Sequence, residues 1–237
     1  MTSTQIIAIV IFLVTMAAIM TEKLHRTVAA VAGALLLILT GVLSVESGFS
    51  YVDLNTLGVL IGMMLFVAVV KNSGIFEYIA IKAAKIAKGR PWPLMVLFAL
   101  ITAVLSAFLD NVTTVLLIGP MTLAITSMLR INPIPFFMTQ IMASNIGGTA
   151  TLIGDPPNIM IGSAAGLSFT DFITNTGVAV LFVLAATIVC FYFIYGRKLH
   201  VEPDAMDSIL QLDENKAIKD RSLLIKSVVM ILLVVFG

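Results

Sequence analysis

Two short runs hold most of the interior polar chemistry in this sequence. The first is Asp110-Asn111-Val112-Thr113-Thr114, a carboxylate, an amide and two hydroxyls set between apolar arms of similar length. The second is Ser144-Asn145-Ile146-Gly147-Gly148-Thr149-Ala150-Thr151-Leu152-Ile153-Gly154-Asp155-Pro156-Pro157-Asn158. Its three glycines, two prolines, two threonines and aspartate cannot carry one continuous helix. Neutral Thr, Asn and main-chain oxygens suit Na⁺, and the free N–H groups of a restarting helix suit an anion. The chemistry on offer is ion coordination rather than bond breaking. Asp155 ahead of Pro156 fits an N-cap followed by a first helical residue, so a half-helix should restart there. Either Asp110 or Asp155 can cap a helix or serve as a ligand. Thr113, Thr114, Thr149 and Thr151 can each bond back to a carbonyl four residues earlier, and the sequence leaves these alternatives open.

The elements around these runs belong in a bilayer. Of 237 residues, 59% are hydrophobic and 11% charged, and the mean hydropathy is +1.09. Soluble domains carry about 25% charged residues, so a water-soluble enzyme, a disordered segment and a nucleic-acid partner are excluded. The net charge of +1 gives no excess for polyanions, and the single cysteine, Cys190, allows no intrachain disulfide. A spanning helix needs about 20 mostly apolar residues. Stretches that approach this are 1–21, 27–45, 54–70, 91–109, 111–129, 131–154, 158–166 and 172–196, with a last apolar run over 222–237 that reads as the start of a truncated span. Two aspartates, Asp110 and Asp155, lie away from the loop ends, and an ionisable group at membrane depth marks a functional site by default.

All 14 Lys and Arg residues fall in alternate connections, while 44–53 and 167–176 contain none. By the positive-inside rule the N-terminus lies outside, and the basic segments 71–90, Arg130 and 197–226 lie in the cytoplasm. The resulting organisation is an all-α integral membrane protein, multi-pass in a cell membrane. Residues 1–70 form the first spans and 71–90 a cytoplasmic interfacial helix, with Ile75, Ile79, Ala83 and Ile86 on its apolar face. Residues 91–130 form a helical hairpin tipped by Asp110–Thr114. A broken helix with an unwound loop occupies 131–166, a further span 167–196, and a cytoplasmic linker without evident chemistry 197–221. Gly119-Pro120 predicts a kink in the second hairpin arm. Unwound backbone at membrane depth is tolerated only where protein or a wet cavity surrounds it, and broken helices point to a transporter's binding site.

An intramembrane enzyme fits less well. A metalloprotease or a Ser–His hydrolase needs histidine at the site, whereas His25 and His200 lie in cytoplasmic connections. An aspartyl protease would have to work in the Asn, Thr, Gly and Pro setting of Asp110 and Asp155.

The two runs, about 30 residues apart, resemble the signature of the ion transporter superfamily, in the branch of the ArsB arsenite permeases, NhaD sodium–proton antiporters and P-protein-like permeases with a citrate-transporter-like domain. The resemblance covers essentially all of this chain, as the N-terminal half of such a protein. It implies one of two inverted-topology repeats, with a re-entrant hairpin at 110–114 and an unwound loop at 147–158 forming a midplane site. The implied ion- or substrate-binding residues are Asp110, Asn111, Thr113, Thr114, Ser144, Asn145, Gly147, Gly148, Thr149, Thr151, Asp155 and Asn158, with possible Na⁺ ligation by Asp110, Asn111, Thr149 and Asp155. The implied activity is secondary active transport of a small inorganic or organic ion, such as an arsenite-type oxyanion, or Na⁺ in exchange for H⁺. A channel-like anion conductor and a sodium-coupled dicarboxylate carrier are the alternatives. Asp110 stands where dicarboxylate carriers of the superfamily place a serine, which argues against carrying over their substrate. No cofactor is implied beyond a coupling ion, Na⁺ or H⁺. A homodimer in the full-length form, a bacterial inner-membrane location, a missing second repeat, and a moving unit at 91–166 against a scaffold complete the expectations.

Overall fold

A computed structural model describes the backbone of residues 2–236 and the side chains of residues 2–230. Among them all regular structure is helical. The chain divides into two compact units, residues 1–54 and 55–237. In the first, α1 (Ser3–Met20) and α2 (Arg26–Leu39) pack together and are followed by the short α3 (Val45–Ser50). Gly33 lies so near Thr15 that a Cβ there would collide with the threonine side chain, which sets how closely the two helices approach.

The 27–45 stretch is α-helical only as far as Leu39. α2 has 14 residues, about 21 Å at 1.5 Å per residue, against a hydrocarbon core of about 30 Å. It ends because Thr40 folds its hydroxyl back onto Leu36 O, at 2.7 Å, and Gly41 turns the chain with φ +71°. Ser44 then caps α3 by accepting from Ser47 N.

The second unit contains α4 (Leu54–Lys71), α5 (Ile75–Ile86), α6 (Pro91–Ser106), α7 (Asn111–Met128), α8 (Ile134–Gly148) and α9 (Pro156–Ala165). The one-turn α10 (Phe169–Phe172), a π-helical turn (Ile173–Gly177) and α11 (Val178–Ile194) follow as one continuous rod. α12 (Pro203–Leu210) and α13 (Arg221–Phe236) complete it. α1, α4, α7 and the 169–198 rod are long and apolar enough to cross a membrane. Large apolar side chains such as Phe12, Leu65, Leu116 and Phe182 point outward, as a lipid solvent permits.

The tightest helix pair is α6 against α8. Lipid chains are as apolar as leucine, so helices associate in a bilayer through close packing of small residues and interhelical hydrogen bonds. Ala99, Ala103 and Ala143 are buried at this seam, and a Cβ on Gly147 would run into the main chain at Ala103. Phe98 and Phe136 close its lower part edge to face, with ring centroids 6.4 Å apart. α7 joins α8 through Gln140, whose Nε2 donates to Thr122 Oγ1 at 2.8 Å, both residues being fully buried. Pro120 lies inside α7, which continues through it as one helix.

α5 buries Phe76, Ala80, Ala83 and Ala84, while Ile86 is exposed. Its covered face is therefore turned from the expected Ile75–Ile79–Ala83–Ile86 line, because alanines rather than isoleucines fit against its neighbours. One of those neighbours is the 197–221 segment, which corrects its reading as a linker without chemistry. Ile209 of α12 is fully buried among Ala80, Ala84, Leu94, Met95 and Leu129. Lys85 Nζ donates to Glu214 Oε2 at 2.5 Å and to Leu212 O at 3.2 Å. Lys219 N donates to Ser73 O at 3.1 Å, and Lys219 Nζ lies 3.6 Å from Glu77.

Two outcomes follow from this packing. Gly147→Val should lower the thermal stability of detergent-purified protein by about 1–3 kcal/mol, the usual cost of overpacking. Gly58→Ala, where a Cβ meets nothing within 4 Å, should not; equal melting of the two variants would contradict the close α6–α8 seam. The second outcome concerns Glu214, whose carboxyl the hydrogen-bonded Lys85 ammonium holds below the usual carboxylate range. A depressed folded-state pKa contributes stability that is complete above the unfolded value, about 4.3, and is lost as pH falls through the lower folded value. Protease cleavage within 199–220 should be slow at neutral pH and accelerate on acidification through that window. Glu214→Gln should be cleaved faster at neutral pH, and a rate matching the parent protein would remove the pair from the docking.

Candidate functional site

The hairpin tip is four residues, 107–110, between α6 and α7. Asp110 has extended backbone and caps α7, its Oδ1 accepting from Thr113 N at 2.8 Å. Asn111 Oδ1 accepts from Val112 N at 2.9 Å, which aims the amide nitrogen away from α7. That nitrogen donates to Asn145 Oδ1 at 2.9 Å, and Asn145 Nδ2 donates in turn to Ile141 O at 2.8 Å. A two-amide relay thus joins the tip to the last turns of α8.

α8 stays helical through Gly148, and α9 restarts at Pro156. The unwound segment is therefore 149–155, narrower than the expected 147–158. Gly147 and Gly148 close a helix rather than open a loop, and Asn158 already lies in the first turn of α9. Pro156 and Pro157 occupy the opening positions of α9, where a missing N–H costs nothing.

Several side chains hold this break in place. Thr151, buried, donates its hydroxyl to Ala107 O in the hairpin tip and accepts from Gly154 N at 3.2 Å. Asn158 Nδ2 spans the break, donating to Gly148 O at 3.1 Å and Thr151 O at 2.9 Å. Ser106 Oγ donates to Ser144 O at 2.7 Å, and Ser144 Oγ to Ile141 O at 2.9 Å. Gly148 and Gly154 face each other so closely that a Cβ on Gly154 would lie 2.8 Å from Ser106 O and 3.0 Å from Gly148 Cα. Ser144, Gly147, Gly148, Thr151 and Asn158 are thus used in building the break.

Asp155 differs from Asp110. It occupies the N-cap position of α9 with extended backbone, but its side chain makes no capping bond among the described residues. The Asn111–Asn145 and Thr151–Ala107 bonds bring the tip that ends in Asp110 to the segment that ends in Asp155. Neither run contains Lys, Arg or His. Asp110, Asn111, Asn145 and Asp155 therefore gather two carboxyl groups and two amides where hairpin tip and break meet. Among the described residues no group of three or more His, Cys, Asp or Glu is placed to hold a metal ion. Thr114, fully buried on the first turn of α7, has a hydroxyl without a hydrogen-bond partner among the described residues, and so does Thr102 one turn before Ser106. Thr149 donates to Ile146 O at 2.7 Å and lines an adjoining cavity of about 390 Å³ with Asn145, Thr176 and Val183. Thr113 is tied to the tip through its backbone.

Ser106 and Thr176 were not among the residues singled out from the sequence. Ser106 sits one turn before Asp110 on the buried face of α6, a signal that the 3.6-residue period carries. Thr176 lies 21 residues beyond Asp155, and nothing in its neighbourhood marks it.

The sequence matches the citrate transporter family over residues 16–237. An uncharacterized transporter of Mycobacterium tuberculosis is 42% identical over 234 residues, covering 97% of this chain and 54% of that protein. A 46 kDa membrane protein of Mycobacterium leprae is equally similar, at 42% over 234 residues with the same coverage. The human P protein is 38% identical over 198 residues, which is 78% of this chain and 23% of its own length. The chain spans about half the length of the mycobacterial relatives it matches. Its helical architecture, its broken helix and a sequence match reaching from α1 to the end of the chain lead to one conclusion: the chain belongs to the citrate transporter family.

Proposed function

We propose that this chain forms one half of the pathway of a secondary active ion carrier, with the ion held where the hairpin tip meets the break in the α8–α9 helix. The observation that carries this reading is the Asn111–Asn145 bond, which seats a tip bearing Asp110 against the last turns of α8, just ahead of the unwound segment that leads to Asp155. Broken helices of this kind supply binding sites at the bilayer midplane. Beyond the meeting point α9 still has ten residues to run, about 15 Å at 1.5 Å per residue. That remaining length supports a hairpin that turns back inside the membrane rather than at its far surface. Two neighbouring carboxylates without a basic partner favour occupancy by Na⁺ or H⁺, which lowers the cost of moving the site through a low-dielectric region. Transport of the counter-substrate, an oxyanion or a carboxylate, would then depend on that cation. The citrate transporter family match and the transporter names among its relatives support reading the site as a carrier's. The alternation of basic and uncharged connections supports a cytoplasmic side for 71–90, Arg130 and 197–226, and a homodimer of the full-length protein in a bacterial inner membrane is part of the same proposal.

The test is flux into proteoliposomes of the full-length protein, with citrate, arsenite and ²²Na⁺ as probes under imposed Na⁺ or H⁺ gradients. Saturable uptake that needs a cation gradient is expected; ohmic current without one would overturn the carrier reading in favour of a channel. Asp155→Asn should abolish gradient-driven uptake with unchanged melting, because its carboxylate caps nothing. Asp110→Asn should also abolish it, at a stability cost of about 1 kcal/mol or less, since the amide oxygen still accepts from Thr113 N. Normal coupled flux in both variants would remove the carboxylates from the mechanism.

A further inference from the structure

The rod that follows α9 is irregular at one place. Between α10 and α11 the chain takes a π-helical turn at Ile173–Gly177, one residue wider than an α turn. Such turns mark positions where a helix bulges toward a functional neighbour, and they are rare because they weaken the helix. The bulge faces the break. Thr176 Oγ1 lies 2.6 Å from Phe172 O in its own helix and 3.4 Å from Ala150 O in the unwound segment. Gly177 follows, and a Cβ there would stand 3.6 Å from the same Ala150 oxygen. Thr176 also lines the cavity beside the break, with Asn145 and Thr149 as its other polar residues and Ala179, Val180 and Val183 as apolar wall. α11 is held here independently, since Leu184 packs with Ala99, Ala103 and Ala143 of the α6–α8 seam.

Ala150 is the second residue of the unwound segment. The far side of the segment is fixed by Thr151 on Ala107 and by Asn158 on Gly148 and Thr151. The hydroxyl has one proton, for which Phe172 O of the rod at 2.6 Å and Ala150 O at 3.4 Å compete, and of these two acceptors Ala150 O is the one that belongs to the break. A regular α turn would carry residue 176 round the rod by the angle of the extra residue, about 100°.

We infer that Thr176 is a positioning residue for the ion site: the π turn delivers its hydroxyl to the Ala150 carbonyl, making the α10–α11 rod the third support of the break after the hairpin and α9. The effect on flux rests on the carrier reading above, whereas the tether itself does not.

Thr176→Val keeps the shape and removes the hydroxyl, and Thr176→Ser restores it. Hydrogen–deuterium exchange of the 149–155 segment, on the purified full-length protein without added substrate, should be about 2- to 10-fold faster in Thr176→Val, the range one neutral hydrogen bond covers. It should return to the parent rate in Thr176→Ser, with the α5 segment unchanged in both. In proteoliposomes, the apparent KM for the coupling ion, read as ²²Na⁺ uptake or as H⁺ flux with a pH dye, should rise by a similar factor in Thr176→Val at nearly constant Vmax. Equal exchange in the parent and in Thr176→Val overturns the inference whatever the flux. A parent protein with no gradient-driven flux, but with the exchange difference intact, overturns the carrier reading and leaves the tether standing.

Discussion

The near contact of main chain with main chain at Gly147 and Ala103 is the constraint on which the rest of this structure depends. Without a hydrophobic drive to press helices together in lipid, α6 and α8 hold by proximity, and proximity requires that one of them carry no side chain at the crossing. Every polar link between the hairpin and the break uses that nearness. Ser106 can reach Ser144 O, and Thr151 can reach Ala107 O, because the two helices are close at their ends. Gly148 and Gly154 extend the same principle into the break, where two peptide groups pass within van der Waals contact. An unwound segment inside a bilayer is expensive unless its amides and carbonyls find partners, and these contacts supply several of them.

The site set on this frame combines rigid and unengaged parts. Asn111, Asn145, Thr151 and Asn158 each have a defined partner, whereas among the described residues the buried Thr114 hydroxyl has none and the partly exposed Asp155 carboxylate makes no capping bond. Evolved interiors satisfy nearly all buried polar groups, and the exceptions call for a ligand or a function. Under the proposed carrier reading, a framework that fixes its amides and leaves the Asp155 carboxylate unengaged lets a small ion bind and leave without rebuilding the site.

Much of this arrangement was legible from residue types. The helix break follows from Gly147-Gly148 and Pro156-Pro157, the hairpin tip from Asp110-Asn111, and the membrane setting from hydropathy and the spacing of Lys and Arg. What stayed hidden depended on three-dimensional neighbours. Glycine propensity opened the break two residues early, because Gly147 and Gly148 serve packing against Ala103 and Gly154 rather than flexibility. The α2 helix stopped short because a threonine back-bond and a left-handed Gly41 outweighed an apolar run that continues to Val45. The 197–221 segment looked like a solvated tether, since its pairing partners Glu77, Lys85 and Ser73 lie more than a hundred residues away and nothing local signals them. The π turn has no composition signature, and the face that α5 buries could not be chosen without knowing that α12 covers it.

The docking of the 197–221 segment has a consequence for whatever α13 leads into. Lys219 N is bonded to Ser73 O immediately before α13 begins at Arg221, and a Cβ on Gly74 would overlap the carbonyl of Ala217. The launch point of the last helix is therefore surveyed from the turn just ahead of α5, by main-chain atoms that meet at a position with no room for a side chain. An insertion or deletion between Gln211 and Asp220 would shift the phase at which the chain re-enters the bilayer, so this stretch, polar as it is, behaves as a ruler and not as slack.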